Sequence, residues 1–290
     1  MSDVLQCNRI GKKFKDKEAL KDVTFSLEKG KIYGMIGRNG AGKTTLLSVM
    51  SGQSRATVGE VTLDGAGVWE NQTSIDRICF SREINPLTLF GPNNMKVKEL
   101  LKLAGIYYTS WDVDMADRLV KLFELDVKKR ISKMSKGMLS MVTIIIAMAS
   151  KAEFTFLDEP VAGLDVVARE EFYKLLLEEY EESGRTFVIS THIIEEAQGL
   201  FEEVIVMKEG KMILKENTLE LLDRSFHISG PSEQIDEWTQ QYKSYQVESI
   251  GRSKSATIVL EPGQSLMSDD RIVVQPVNLQ NLFVSLCGRE

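Results

Sequence analysis

Apolar and polar residues alternate through Val23, Phe25 and Leu27, and Glu28-Lys29-Gly30 supplies a turn before the apolar run over 32–36. Residues 19–37 therefore predict a hairpin feeding a further strand. A glycine-rich loop over 37–44 and a short helix over 44–50 follow, with Gly52 placed to close the helix, and 60–64 predicts another strand. Between 86 and 133 the spacing becomes helical. Val97, Leu100, Leu101 and Ala104 make one apolar stripe, and Ala116, Leu119, Val120 and Phe123 make a second.

Strand patterns return at 154–157 and 187–190, separated by an amphipathic helix over about 168–182. That alternation predicts a parallel α/β sheet. Residues 204–207 and 211–214, joined at Glu209-Gly210, predict a hairpin. After about residue 218 the texture changes. Strand patterns at 226–229, 246–250, 257–260 and 272–274, with helices over 232–242 and 278–286, predict a small α+β appendage. The division expected is a larger α/β unit over 1–217, with a helical insert at about 86–133, and a small accessory or regulatory unit over 218–290.

Composition narrows the function classes. The chain has 290 residues, 27% of them charged, and carries 36 Lys and Arg against 42 Asp and Glu, a net charge of −6. The acidic balance argues against non-specific nucleic-acid binding, which needs a positive footprint. Cys7, Cys79 and Cys287 are far apart, match no metal spacing and read as reduced thiols. The most apolar stretch, 138–150, contains Ser140 and Thr143 and is shorter than the roughly 18 residues a membrane span needs. It predicts a buried helix. The expectation is a cytoplasmic protein whose membrane connection comes through a partner.

Gly37-Arg38-Asn39-Gly40-Ala41-Gly42-Lys43-Thr44 fits G-x-x-x-x-G-K-[ST] between a strand and a helix. Phosphate oxygens held by several backbone N–H groups require a sharply bent chain with no Cβ in the way. The helix that follows, through Thr45, points unsatisfied N–H groups and its positive end at the same anion. Lys43 can reach the β- and γ-phosphates, and the Thr44 hydroxyl can ligate Mg²⁺. The strand Phe154-Thr155-Phe156-Leu157 ends in Asp158-Glu159-Pro160. Beside a phosphate loop, Asp158 would hold Mg²⁺ and Glu159 would polarise the water attacking the γ-phosphate. His192 follows the next strand. An imidazole there is either structural or in reach of a γ-phosphate or the lytic water; His227 has no comparable setting.

These motifs, in this order over about residues 5–222, resemble the ATP-binding subunits of ABC transporters. The resemblance implies a P-loop NTPase of ABC type, with a RecA-like core, an antiparallel β subdomain and a helical subdomain. It implies ATP and Mg²⁺ as ligands, ATP hydrolysis, a second ATPase subunit paired head-to-tail, and an integral-membrane permease. Phe14 stands where the family stacks an aromatic on adenine; a plain core or surface Phe is the other reading. Met134-Ser135-Lys136-Gly137-Met138 stands at the family's signature loop, whose Ser135 and Gly137 would meet ATP held by the opposite subunit. Ala162-Gly163-Leu164-Asp165 looks like the D-loop, and His192 takes the switch-histidine position.

Two positions depart from the family pattern. Glu83 replaces the Q-loop glutamine; it can still ligate Mg²⁺, but it adds negative charge, which implies altered coupling or slower turnover. Lys136 replaces a glycine and either adds positive charge near the trans γ-phosphate or points into water. Ser-Lys-Gly-Met resembles the variant of bacterial ABC-2-type exporters. Ser81-Arg82-Glu83 looks most like exporters of peptide toxins and antimicrobial peptides, such as phenol-soluble modulins, and their YtrB-like relatives. Leu87, Leu89, Phe90 and Met95 fit either a groove for a permease helix or ordinary core packing. Alternatives are a soluble ABC protein acting on ribosomes or nucleic acid, or a catalytically weak partner of another ATPase. One phosphate loop and a spacer too short for a coiled coil count against the first.

Overall fold

The computed structural model describes residues 4–85 and 95–288. Leu87, Leu89 and Phe90 lie outside the described residues. β1 (Val4–Phe14) and β2 (Lys17–Glu28) form an antiparallel pair, and β4 (Val58–Leu63) and the two-residue β5 (Ala66–Gly67) extend it in the order β2-β1-β4-β5. β3 (Ile32–Gly37) belongs to a different sheet. The hairpin expected over residues 19–37 is thus two strands in separate layers. The reason is visible in their burial. β2 alternates buried and exposed residues toward its end, as a strand with one covered face does, whereas every residue of β3 is buried.

The central sheet has the order β10-β9-β3-β8-β7-β6. Its members are β6 (Ile78–Ser81), β7 (Phe154–Asp158), β8 (Thr186–Ser190), β9 (Glu203–Lys208) and β10 (Lys211–Asn217). β6, β7, β8, β3 and β9 run parallel, and the β9–β10 hairpin turns the last strand back. Period-two alternation divides β3 between two cores. Tyr33 and Met35 pack with the antiparallel sheet and α1 (Lys43–Met50), while Ile32 and Ile36 pack on the opposite face with the long helices.

On that second face lie α3 (Val97–Tyr107), α4 (Val113–Leu122), α5 (Lys136–Ala149) and α6 (Val166–Ser183); the four-residue α2 (Gln72–Ile75) precedes them. Val97, Ala104, Ala116 and Leu119 of the two apolar stripes are buried. In α5, Leu139, Ser140 and Val142 are buried together with most of the helix, matching the buried helix expected there. Arg185 fixes its far end. The guanidinium donates to the Ala147 and Met148 carbonyls at 3.1 and 2.9 Å and to Thr155 Oγ1 at 2.9 Å, and it pairs with Glu179 at 3.3 Å. Cationic donors on the last carbonyls of a helix satisfy groups that have no intrahelical partner and oppose the dipole.

After the four-residue α7 (Ile194–Ala197) and α8 (Thr218–Asp223) comes a third, antiparallel sheet of order β12-β13-β11-β14. It comprises β11 (Ser225–Pro231), β12 (Lys243–Ile250), β13 (Ser253–Val259) and β14 (Val273–Pro276). α9 (Ser232–Gln241) covers it, and Ile228, Ile235, Trp238 and Ile258 form a small core of its own. The last helix, α10 (Leu279–Cys287), departs from the picture of a separate appendage. Leu279, Leu282, Leu286 and Cys287 are buried in the large core of the central sheet. Among the described residues no helix is long and apolar enough to cross a membrane. All three cysteines are free and buried.

Candidate functional site

The phosphate loop leaves the C-terminal end of β3 and enters α1. Gly42 takes φ +105° at the helix start, and a Cβ there would lie 2.9 Å from the Ala19 carbonyl oxygen. Only glycine meets both demands. The loop is held from outside as well, since Gly210 N–H donates to the Ala41 carbonyl at 2.9 Å and Lys21 N–H to the Gly210 carbonyl at 2.8 Å. With no side chain capping α1, its first N–H groups remain available to an anion.

Lys43 is buried and folded back on the loop, its Nζ donating to the Gly37 carbonyl at 2.6 Å. Burial lowers the ammonium's pKa from its ordinary value, opposed by the nearby Glu159, Asp158 and Cys287. A phosphate would supply the counter-charge that the loop alone does not. Thr44 Oγ1 donates to Asp158 Oδ2 at 2.6 Å. The other Asp158 oxygen, Oδ1, is buried and, among the described residues, has no hydrogen-bond partner. An orphaned carboxylate oxygen beside a threonine hydroxyl is a donor set that suits Mg²⁺, which takes one or two carboxylates and completes its shell with water and substrate phosphate.

Asp158 and Ser190 are register partners at the ends of β7 and β8, and Glu159 N–H donates to the Ser190 carbonyl at 2.8 Å. Glu159 has φ +50°, a left-handed conformation that costs a non-glycine residue about 1–3 kcal/mol. That bend brings Glu159 Oε2 to 2.6 Å from His192 Nδ1. His192 is 59% exposed, so its ring is directed at solvent and at Glu159 rather than into the core.

Lys43, Thr44, Asp158 and Glu159 border one cleft of about 530 Å³, lined by Lys17–Ala19, Lys21, Asn39–Thr45, Asp158, Glu159 and the Glu209-Gly210 turn. A second cavity of about 880 Å³ adjoins it across the loop, between Gly37–Ala41, His192 and the end of α10. Phe14 is half exposed at the tip of the β1–β2 hairpin, opposite Lys17, with the Lys12 ammonium 4.9 Å from its ring centre. Its neighbour Lys17 lines the cleft; the Phe14 ring is not part of that lining. Sequence reasoning missed Lys17 and Lys21, which carry no motif. It saw Glu209-Gly210 only as a turn, although a glycine packed against Ala19 serves the loop directly, a Cβ on Gly210 falling 2.7 Å from the Ala19 carbonyl oxygen.

The remaining candidates assemble elsewhere. Ser135 caps α5, accepting a bond from Met138 N–H at 3.3 Å. Gly137 touches the 162–165 turn so closely that a Cβ would lie 2.4 Å from the Gly163 carbonyl oxygen. Glu83 lies 3.4 Å from Lys136. Neither Ser135, Gly137 nor Glu83 is among the residues that line the phosphate-loop cleft.

Residues 20–162 match the family model described as ABC transporter. The chain is 25% identical over 209 residues to the ABC transporter ATP-binding protein YtrB of Bacillus subtilis, covering 72% of this chain and 70% of that one. It is 28% identical over 221 residues to an uncharacterised ABC transporter ATP-binding protein of Methanocaldococcus jannaschii, covering 73% and 77%. Among solved structures it resembles cbiO1 of Clostridium perfringens, described as part of the ABC transporter complex cbiONQ, with a TM-score of 0.58 at 26% identity over 75% of this chain and 89% of that one. The fold also resembles the cassette MJ0796, solved as a dimer in a post-hydrolysis state with ADP and Pi, with a TM-score of 0.62 at 23% identity over 73% and 98%.

Proposed function

We propose that the chain, whose residues 20–162 match the ABC transporter family model and which is 25% identical to an ABC transporter ATP-binding protein, is an ATPase that powers a bacterial exporter through a separate integral-membrane permease. In this reading two ATPase subunits close head-to-tail around ATP, with Lys43 and Thr44 of one facing Ser135 and Gly137 of the other. The observation that carries it is the row of groups beside Lys43, in which Thr44 meets Asp158 and Glu159 meets His192 across the ends of β7 and β8. The exclusion of Ser135 and Gly137 from the cleft lining of their own subunit supports a contribution in trans.

The residues divide the chemistry. Loop N–H groups and Lys43 bind and orient the phosphates, and Lys43 exchanges the Gly37 carbonyl for a phosphate oxygen. Thr44 and Asp158 would hold Mg²⁺, which when bound offsets charge on the phosphates. Glu159 accepts the proton of the attacking water, and His192 keeps that carboxylate aimed. Phe14 offers a face for the adenine, and Glu83 reaches the water-and-metal end only if its segment moves.

Amphipathic or antimicrobial peptides are the cargo class we assign, from the resemblance carried by the Ser81-Arg82-Glu83 and Ser135–Met138 strings. The 1–217 and 218–290 division is part of the same proposal, with α10 tying the second unit to the first. Export is tested by co-purifying the chain with a candidate membrane permease, reconstituting both in vesicles, and adding amphipathic peptide. The expected result is ATPase stimulation of several-fold that requires both permease and peptide. Turnover indifferent to the permease would refute the transporter coupling.

A further inference from the structure

Glu83 and Lys136 come from different elements, and the sequence offers no reason to link them. The structure places Lys136 Nζ 3.4 Å from Glu83 Oε1, with both side chains more than half exposed. Ser81, at the end of β6, donates from its hydroxyl to the Thr143 carbonyl of α5 at 3.1 Å, which ties the exit of β6 to that helix. Lys136 is the first residue of α5, and its stem lies against Gly163, where a Cβ would stand 3.0 Å from the Lys136 Cγ.

The placement of Lys136 is electrostatically awkward. A cation in the first turn faces the positive end of the helix dipole, and the first turn of α5 contains no acidic residue to offset it. Glu83 supplies that counter-charge from outside the helix. Because the pair is solvent-exposed it is weak, worth no more than about 1 kcal/mol, or roughly a five-fold factor in an equilibrium. A weak pair stabilises the fold little, but its partners can be exchanged readily. The incoming charge that would compete best with a single carboxylate is a terminal phosphate, which carries more negative charge and several acceptor oxygens.

We infer that Glu83 and Lys136 form a charge-exchange pair. Glu83 holds Lys136 in the open subunit, and closure moves the ammonium onto the terminal phosphate of ATP in the second subunit. This rests on the head-to-tail dimer proposed above. Lys136 then favours closure, while Glu83 acts as a positioning residue that competes with ATP, its release tied to arrival of the partner's nucleotide. The two departures from the family pattern become one device.

The test uses the full chain carrying Glu159→Gln to slow hydrolysis, with dimer fraction measured by light scattering against ATP concentration. Exchange predicts opposite signs. Glu83→Gln should lower the ATP needed for half-dimerisation about two- to five-fold. Lys136→Gly, and Lys136→Gln as the variant that keeps the helix former and the stem, should raise it by a similar factor or more. In either Lys136 background Glu83→Gln should have no further effect. If both single variants shift in the same direction, or their effects add, the pair is structural and exchange is overturned. If the Glu159→Gln chain forms no dimer with ATP at all, the head-to-tail reading itself fails and takes the exchange with it.

Discussion

Replacing Glu159 with Gln should slow ATP hydrolysis about 100- to 1,000-fold, within the range a positioned general base contributes, and should leave ATP trapped in a stable dimer. The amide keeps the size of the carboxylate but cannot take a proton from water. The backbone bond from residue 159 to the Ser190 carbonyl and the left-handed bend are indifferent to the change, so the site keeps its shape. Thr44, Asp158 and Lys43 are untouched, so nucleotide binding persists. Phosphate release under single-turnover conditions, read beside the elution volume with and without ATP, checks both halves. Rapid hydrolysis by Glu159→Gln would remove Glu159 from the role of base.

A change far from the phosphates has the largest effect on stability. Arg185→Met removes a buried guanidinium that holds two carbonyls at the end of α5, the Thr155 hydroxyl and the Glu179 carboxylate. Losing one member of a buried charged cluster costs about 3–5 kcal/mol, although Lys151, 2.7 Å from Glu179, retains part of the balance. Burial lowers the pKa of the Arg185 guanidinium, opposed first by Glu179, so the cation is held there against desolvation. Urea unfolding should show the loss as a lower midpoint with an unchanged slope. An unchanged midpoint would mean that the cluster contributes nothing net. Because α5 begins at the Ser135 turn, surviving protein should also require more ATP to dimerise.

How much of this was legible in the sequence depends on how local the cause was. The phosphate loop was readable because its glycines, Lys43 and Thr44 act within eight consecutive residues. The position of Asp158 and Glu159 was readable because an apolar strand ending in acids predicts a strand whose end carries them, and the structure puts that end beside Thr44. Strand pairing was not, and the segment 19–37 shows why. A turn between two strand patterns looks like a hairpin, yet β2 pairs with β1, the strand just before it, and β3 with the distant β8 and β9. Only the contrast between an alternating and a uniformly apolar strand hinted at it. The burial of α10 in the central core and the cluster around Arg185 depend on contacts across long separations, which no local pattern encodes. Glu83 and Lys136 were each noticed as departures; their contact is a property of the fold.

The central claim is that a working site is built from two chains, the phosphate loop of one and the Ser135 turn of the other. Mixing two inactive variants tests it most directly. Lys43→Ala disables the loop, and Ser135→Arg fills the exposed cap of α5 with a bulky side chain. Each alone should be nearly inactive, but a mixed dimer contains one site with an intact loop and an intact turn. The account predicts that ATPase activity rises well above either parent on mixing and peaks near equal proportions. If activity stays at the level of the parents across all ratios, while mixed dimers are present by affinity-tag pull-down, the composite site is contradicted.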